Sequence, residues 1–111
     1  MGLLPKFNVW FEIDGEVAAS RWRMQLLDAI DEHGSITAGA AALGVPYRVA
    51  WKKVNEMEER LGVQLLETKT GGAEGGGALL TPAGRDHVER MRLFCERVEA
   101  SIGAIHREVY G

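Results

Sequence analysis

The apolar residues near the start of the chain recur at every second position. This spacing is typical of a strand whose alternate side chains share one face, and four residues keep it: Phe7, Val9, Phe11 and Ile13. The turn-forming pair Asp14-Gly15 follows them. The pattern predicts an N-terminal strand and turn within residues 1–19.

Apolar residues in the next segment take helical spacing. Ser20 can accept a backbone N–H at a helix start, and Gly34 can end that helix after His33. The predicted first helix buries a stripe of Met24, Leu27 and Ile30. Ser35 is placed to cap a second, short helix, whose alanine and glycine residues allow another helix to cross closely.

The third predicted helix begins at Pro46, because proline is tolerated best in the first helical turn, and runs to about residue 61. Its apolar stripe has spacings of four, three and four residues: Ala50, Val54, Met57 and Leu61. A tight turn at Gly44-Val45 separates it from the second helix, so residues 20–62 are predicted to contain a helix-turn-helix. Helix pairs with short turns also occur in unrelated folds.

A β-hairpin is predicted directly after the third helix, over residues 63–81. Its strands, VQLLET and ALLT, flank the glycine-rich loop KTGGAEGGG. A hairpin at this position is a wing, so the expected fold is mainly α with a small β-hairpin: a winged helix-turn-helix. Glycines let a backbone approach a phosphate closely, but the same composition suits a hairpin tip that binds nothing.

The last segment, residues 82–111, combines a helix start at Thr81-Pro82 with a long apolar seam. Spacings of three and four residues alternate along seven positions: Val88, Met91, Cys95, Val98, Ile102, Ile105 and Val109. A helix of roughly 40 Å is longer than a domain of ~13 Å radius needs, so the seam predicts a homodimer interface. A helix that folds back over its own core is the alternative.

The composition is that of one soluble globular domain of 111 residues, with 46% hydrophobic and 26% charged residues. Its single cysteine, Cys95, excludes an intrachain disulfide and a cysteine metal cage. No apolar run approaches the ~20 residues that cross a bilayer, and acids near the start argue against export, so a cytoplasmic location is expected. The sequence has no catalytic constellation and no metal-ligand spacing among its histidines, and thus predicts neither an enzyme nor a cofactor.

The net charge of −3 argues mildly against nucleic-acid binding, but charge is unevenly distributed along the third helix. Residues 46–53 contain three cations and no acid: Arg48, Lys52 and Lys53. Residues 54–62 contain three glutamates and one arginine. A helix that enters the major groove by its N-terminal end would have this polarity. A solvent-exposed helix with mixed charges is the alternative.

Several short motifs occur together in the helical segment: Gly34-Ser35-Ile36, Gly44, Tyr47-Arg48-x-Ala50-Trp51 and Asn55-x-Met57. The predicted wing adds Thr70-Gly71-Gly72, the glycines at 75–77 and Leu80-Thr81. With this combination the chain resembles the N-terminal winged-helix domain of ModE-type, molybdate-responsive transcription regulators. It resembles the DNA-binding domain of LysR-type regulators more distantly, in the segments Ala40 to Val45 and Leu80-Thr81-Pro82-Ala83-Gly84.

The resemblance implies a DNA-binding transcription regulator without a ligand-sensing domain of its own, because nothing in the chain matches the oxyanion-binding domains of ModE-type proteins. Together with the charges and helix positions, it gives ten expected DNA contacts: Ser35, Thr37, Pro46, Tyr47, Arg48, Trp51, Lys52, Lys53, Lys69 and Thr70. Arg48 is the expected base reader, since arginine binds guanine bidentately, and a surface ion pair is its alternative role. The wing contains one lysine and two glutamates, a net charge of −1, which argues against strong phosphate contacts there.

The expected function is a sequence-specific, homodimeric regulator that binds double-stranded DNA, with the third helix in the major groove and no membrane contact. Two other functions remain open. The chain could be an interaction module that pairs with a full-length regulator as a heterodimer, or a sensor that binds an oxyanion or metabolite at the dimer interface. No pocket motif in the sequence favours the sensor.

Overall fold

The computed structural model describes residues 2–69 and 76–111. Helices dominate, with two small antiparallel hairpins, in this order: β1 (Trp10–Ile13), β2 (Glu16–Ser20), α1 (Arg21–His33), α2 (Ile36–Ala42), α3 (Tyr47–Leu61), β3 (Leu66–Lys69), β4 (Gly77–Leu80) and α4 (Pro82–Tyr110). This is a winged-helix fold with a long C-terminal helix, which confirms the predicted fold class.

The N-terminal segment forms a hairpin rather than a single strand and turn. β1 pairs antiparallel with β2, with a register irregularity between Phe11 and Glu12. Phe7 and Val9 lie before β1 and pack against the core, whereas Phe11 and Ile13 are each 41% exposed. The alternation of apolar residues therefore identifies a strand, but the four residues do not lie together on one buried face. β2 was missed because its sequence, EVAAS, has alanines at its buried positions instead of β-branched residues.

The helix boundaries follow from capping side chains, as the sequence predicted. The Ser20 hydroxyl accepts a backbone N–H at 3.0 Å, and Gly34 ends α1 with a φ of 82°. The Ser35 hydroxyl accepts a backbone N–H at 3.0 Å at the start of α2. Pro46 differs slightly from expectation, because it is the N-cap of α3 and the first helical residue is Tyr47.

The core lies between α1, α3, the wing and the first half of α4. Its largest fully buried side chains are Leu26, Leu27, Ile30, Met57 and Leu65. α2 crosses α1 closely at Gly39, where an added Cβ would lie 2.6 Å from the Ile30 Cα. The small residues of α2 therefore bring the helix-turn-helix close to α1, as their composition predicted.

β3 and β4 pair antiparallel as the predicted wing, although β3 begins at residue 66 rather than 63. Two backbone groups of β4 attach the wing to the end of α1. The Ala78 N–H donates to the Gly34 carbonyl at 2.8 Å, and the Leu80 N–H donates to the Asp31 carboxylate at 3.0 Å. Most of the glycine-rich loop, including Thr70, lies outside the described residues.

The apolar seam of α4 is divided into two parts. Val88, Met91 and Cys95 are at most 4% exposed and pack into the core of their own chain, against α1. This corrects the prediction that these three residues face a second copy, because α4 folds back over the core in its first half. Ile105 and Val109, by contrast, are 54% and 69% exposed. The accessible part of the seam is the second half of the helix: Val98, Ile102, Ile105 and Val109.

Candidate nucleic-acid interface

The N-terminal half of α3 exposes the face that its buried stripe leaves free. Ala50, Val54 and Met57 are at most 4% exposed and fix the stripe in the core. Side chains on the opposite side therefore face solvent, and Tyr47 and Trp51 are 49% and 53% exposed. Three polar residues complete this α3 face: Arg48, Lys52 and Asn55.

Two of the three glutamates in the second half of α3 turn their charges toward the protein. Glu56 Oε1 lies 3.2 Å from the Arg23 guanidinium, and Glu58 Oε2 accepts the Leu65 N–H at 2.8 Å. Partial burial alone would raise the pKa of Glu56, but the neighbouring cations, chiefly Lys53, lower the pKa below its usual value. Glu56 is therefore ionised at neutral pH, and its charge is paired with cations of the same chain.

The cations of the basic half remain accessible. Within residues 2–69 and 76–111, neither Arg48 nor Lys52 makes an ion pair. The alternative role of Arg48, a surface ion pair, is thus not found in that part of the chain. Two of the three cations, Arg48 and Lys52, therefore face solvent, whereas two of the three glutamates, Glu56 and Glu58, are bound within the protein and Glu59 is exposed.

A groove of about 340 Å³ opens beside the α3 face, between the start of α2, the start of α3 and the wing. Ten residues line it: Ser35, Ile36, Thr37, Tyr47, Trp51, Thr68, Lys69, Gly76, Gly77 and Ala78. Half of them are expected DNA contacts: Ser35, Thr37, Tyr47, Trp51 and Lys69. The fold therefore brings together residues that three separate segments of the sequence supply.

The other five residues that line the groove were not among the expected DNA contacts. Ala78 reaches it because its N–H donates to the Gly34 carbonyl, which holds β4 against the turn between α1 and α2. This contact joins segments that are far apart in the chain, so no local pattern reveals it. Thr68 and Ile36 each adjoin an expected contact in the sequence, and that adjacency was the available signal.

Trp51 lies in the groove with about half of its surface exposed. The Asn55 Nδ2 donates to the Trp51 carbonyl at 2.9 Å, so the amide group is held against the preceding helical turn. Asn55 belongs to the α3 face although it was not among the expected contacts. Its position one helical turn after Trp51 could have identified it.

The other expected contacts do not line the groove. Arg48 and Lys52 lie on the adjoining α3 face, and Pro46 is exposed at the start of the helix. Lys53 Nζ lies 3.7 Å from Glu56 Oε1, so its charge is shared with an acid of the same chain. Thr70 lies outside the described residues.

The rest of the described chain offers no competing metal centre. In residues 2–69 and 76–111, no group of three or more His, Cys, Asp or Glu residues is arranged to hold a metal ion. Cys95 is buried in the core. No helix in those ranges combines the length and the apolar character that crossing a membrane requires. The α3 face and the adjoining groove, which gather the exposed cations and half of the expected contacts, form the candidate site.

Curated relatives match two thirds or more of this chain. The chain is 39% identical over 87 residues to the molybdenum-pterin-binding protein MopB of Rhodobacter capsulatus, which covers 78% of this chain and 28% of MopB. It is 39% identical over 74 residues to the DNA-binding transcriptional dual regulator ModE of Escherichia coli K12, which covers 67% of this chain and 28% of ModE. The chain thus spans less than a third of the length of these relatives.

Solved structures and a family model relate the chain to LysR-type regulatory proteins. The CbnR_DBD–DNA complex is 28% identical, with a TM-score of 0.62 over 81% of this chain and 97% of that chain. Full-length CbnR complexed with its target DNA is 29% identical, with a TM-score of 0.59 over 78% of this chain and 28% of that chain. The model of the bacterial regulatory helix-turn-helix proteins of the lysR family matches residues 22–85. The family model and the E. coli relative are described as regulatory proteins rather than enzymes, which agrees with the expectation from the sequence. Since the match covers more than half of the sequence, the chain belongs to the LysR family of bacterial regulatory helix-turn-helix proteins.

Proposed function

We propose that this chain is a sequence-specific regulator of transcription that binds double-stranded DNA as a homodimer, with α3 in the major groove. The observation that carries the proposal is the exposed, cationic first half of α3 beside the groove at the wing. Glu56 and Glu58, in the second half of the helix, are bound within the protein, so an approaching phosphate backbone meets the cations of the first half. The DNA in the CbnR_DBD complex and the description of E. coli ModE as DNA-binding support this function.

Each residue of the interface has a distinct role in this proposal. Arg48, in the first turn of α3, binds a guanine bidentately and supplies sequence specificity. Tyr47 and Trp51 contact thymine methyl groups or the backbone. Lys52 and, on the wing, Lys69 neutralise phosphates and supply affinity that does not depend on sequence.

The second half of α4 forms the dimer interface in this proposal. Ile105 and Val109 are more than half exposed, and Ile102 lies on the same side of the helix one turn earlier. Apolar side chains at heptad positions favour a second copy of the same helix. Two-fold symmetry then places two α3 helices on an inverted repeat, with half-sites about 34 Å or a multiple of it apart. A regulator of this kind acts in the bacterial cytoplasm, where its DNA lies.

Selection of bound duplexes from a random library, at two salt concentrations, tests the proposed function. Enrichment of an inverted repeat is the expected result, and it yields the operator directly. Weak binding without enrichment and with a steep salt dependence would overturn sequence-specific regulation, because phosphate contacts alone would then explain the affinity.

A further inference from the structure

A buried arginine joins α1 to α3 through contacts with two α3 residues, Lys53 and Glu56. Arg23 is 7% exposed, and its Nη2 lies 3.2 Å from Glu56 Oε1. Its Nη1 donates to the Lys53 backbone carbonyl at 3.4 Å. Arginine is rarely buried unless its fixed fork of donors is satisfied, and here both contacts lie on α3.

Glu56 is the centre of a wider ionic cluster. The same Oε1 that faces Arg23 lies 3.7 Å from Lys53 Nζ, and Oε2 lies 3.7 Å from Arg60 Nη2. Arg60 in turn donates from Nη1 to the Val17 carbonyl at 2.7 Å, which anchors it to β2. The cluster therefore links α1, the middle of α3 and the N-terminal hairpin.

An ionic cluster built around a buried arginine costs desolvation free energy to form between two helices. Apolar side chains of similar volume often give equal or greater stability than a buried ion pair. Charged hydrogen bonds, unlike apolar contacts, have directional geometry, so the fork of Arg23 resists rotation of α3 about its axis. Lys53, whose carbonyl it holds, is two residues from Trp51, and a rotation there would displace the exposed α3 face.

We propose that Arg23 and Glu56 are positioning residues for DNA recognition, which fix the rotation of α3 so that its exposed side chains meet the base edges. This inference rests on the proposed function. Base-edge hydrogen bonds demand close geometry, whereas attraction to phosphates tolerates displacement. The pair therefore governs the preference for operator over other DNA, and has little effect on affinity for DNA in general.

The central test is Arg23→Met, measured against the selected operator and a scrambled duplex. Methionine fills the buried space, and Glu56 keeps two cations, Lys53 and Arg60, so no buried charge is left unpaired. Operator affinity is expected to fall about tenfold, which corresponds to the lower end of one bidentate base contact. Affinity for the scrambled duplex and the salt dependence of that binding should stay near wild type, because the phosphate contacts are intact.

Arg21→Met is the matched control. Arg21 lies on the same helix, but its guanidinium faces Glu99 of α4 at 3.3 Å and does not touch α3. The control should keep the wild-type ratio of operator to scrambled affinity. Circular dichroism on each variant verifies that the compared proteins are folded.

Glu56→Gln keeps the test decisive if Arg23→Met fails to fold. Glutamine can still accept a hydrogen bond from Arg23, but it has no negative charge to attract Arg23, Lys53 and Arg60. The preference for the operator should therefore fall in this variant as well, by a smaller factor. If Arg23→Met or Glu56→Gln folds and keeps the wild-type ratio of operator to scrambled affinity, the positioning role is overturned. An equal loss of that ratio in Arg21→Met overturns it as well. A wild-type protein without any operator preference overturns the proposed function itself, and that outcome is visible before any variant is made.

Discussion

Glu58 in α3 accepts the backbone N–H of Leu65 at 2.8 Å through Oε2, and so ties α3 to the base of the wing. The same oxygen accepts the Leu66 N–H at 3.2 Å. Leu65 is fully buried, so its N–H has no access to water. One carboxylate therefore helps to fix the angle between α3 and the wing.

Glu58→Ala should lower the free energy of unfolding by about 1–3 kcal/mol, because it removes the acceptor of a buried N–H group. Urea denaturation monitored by circular dichroism measures the loss. Glu59→Ala is the control, since Glu59 is exposed and makes no hydrogen bond or ion pair within the described ranges 2–69 and 76–111. Its effect should stay within about 0.5 kcal/mol. Equal losses in the two variants would contradict the bridging role of Glu58.

Two glycines in α4 should respond to alanine in opposite directions. A Cβ at Gly84 would overlap the Leu65 carbonyl oxygen, so Gly84→Ala should destabilise the fold by about 1–3 kcal/mol. At Gly103 the nearest atom to an added Cβ is the flexible end of Arg107, at 3.7 Å. Gly103→Ala should therefore stabilise the helix by roughly 0.5–1 kcal/mol. Thermal unfolding compares the two, and a stabilised Gly84→Ala would refute the close approach.

Arg48→Ala and Lys52→Ala separate specificity from affinity in the proposed interface. Arg48→Ala should cost on the order of 1–3 kcal/mol on the operator and relax the preference at one base position. Lys52→Ala should weaken binding to all sequences and reduce the slope of log affinity against log salt by about 0.9. Fluorescence anisotropy across a salt series measures both effects. If Arg48→Ala weakens all duplexes equally, Arg48 is not a base reader.

His87 gives the stability a defined pH dependence. Burial lowers the pKa of His87 against the opposing effect of Asp86, and its Nε2 has no hydrogen-bond partner in residues 2–69 and 76–111. The unfolded chain takes up this proton near pH 6.5, whereas the folded chain does so only at lower pH. The unfolded state therefore binds more protons between those values, and the free energy of unfolding rises with pH up to about 6.5.

His87→Gln should reduce that rise, because the variant has no imidazole to protonate in the unfolded state. Urea denaturation from about pH 5 to pH 8 measures the profile for both proteins. The two curves should become parallel only well above about pH 6.5, where His87 is neutral in both the folded and the unfolded state. A variant with the full wild-type rise would assign the pH dependence to other groups.

The sequence predicted the elements whose signals are local. Serine and glycine caps set the ends of α1, and the apolar stripe of α3 determined which of its faces is exposed. The same local character explains the miss at β2, where alanines such as Ala18 and Ala19 occupy the buried strand positions. Alanine carries little strand preference, so tertiary packing decides its conformation.

The parts that could not be predicted depend on contacts between distant segments. The heptad spacing of α4 is continuous, but only the folded domain determines that Cys95 is covered by α1 while Ile105 is not. Likewise, the groove beside α3 depends on the hydrogen bond from the Ala78 N–H to the Gly34 carbonyl, which joins distant segments of the chain. Periodicity identifies an apolar face, whereas its partner is set by the tertiary fold.

The accessible half of the α4 seam gives the last prediction, on the oligomeric state. Ile105 is 54% exposed at a heptad position, and in the proposed homodimer it is buried against the second copy. Ile105→Glu should raise the dimer dissociation constant at least about tenfold, because a buried isoleucine contributes roughly 1.5–3 kcal/mol and a charge must be desolvated in its place. Ala104→Glu is the control, since Ala104 is exposed on the same helix but lies off the seam. Sedimentation equilibrium measures the oligomeric state of all three proteins. We expect the wild type and Ala104→Glu to be dimers and Ile105→Glu to dissociate into monomers. A dimer that persists in Ile105→Glu would show that the interface lies on another surface.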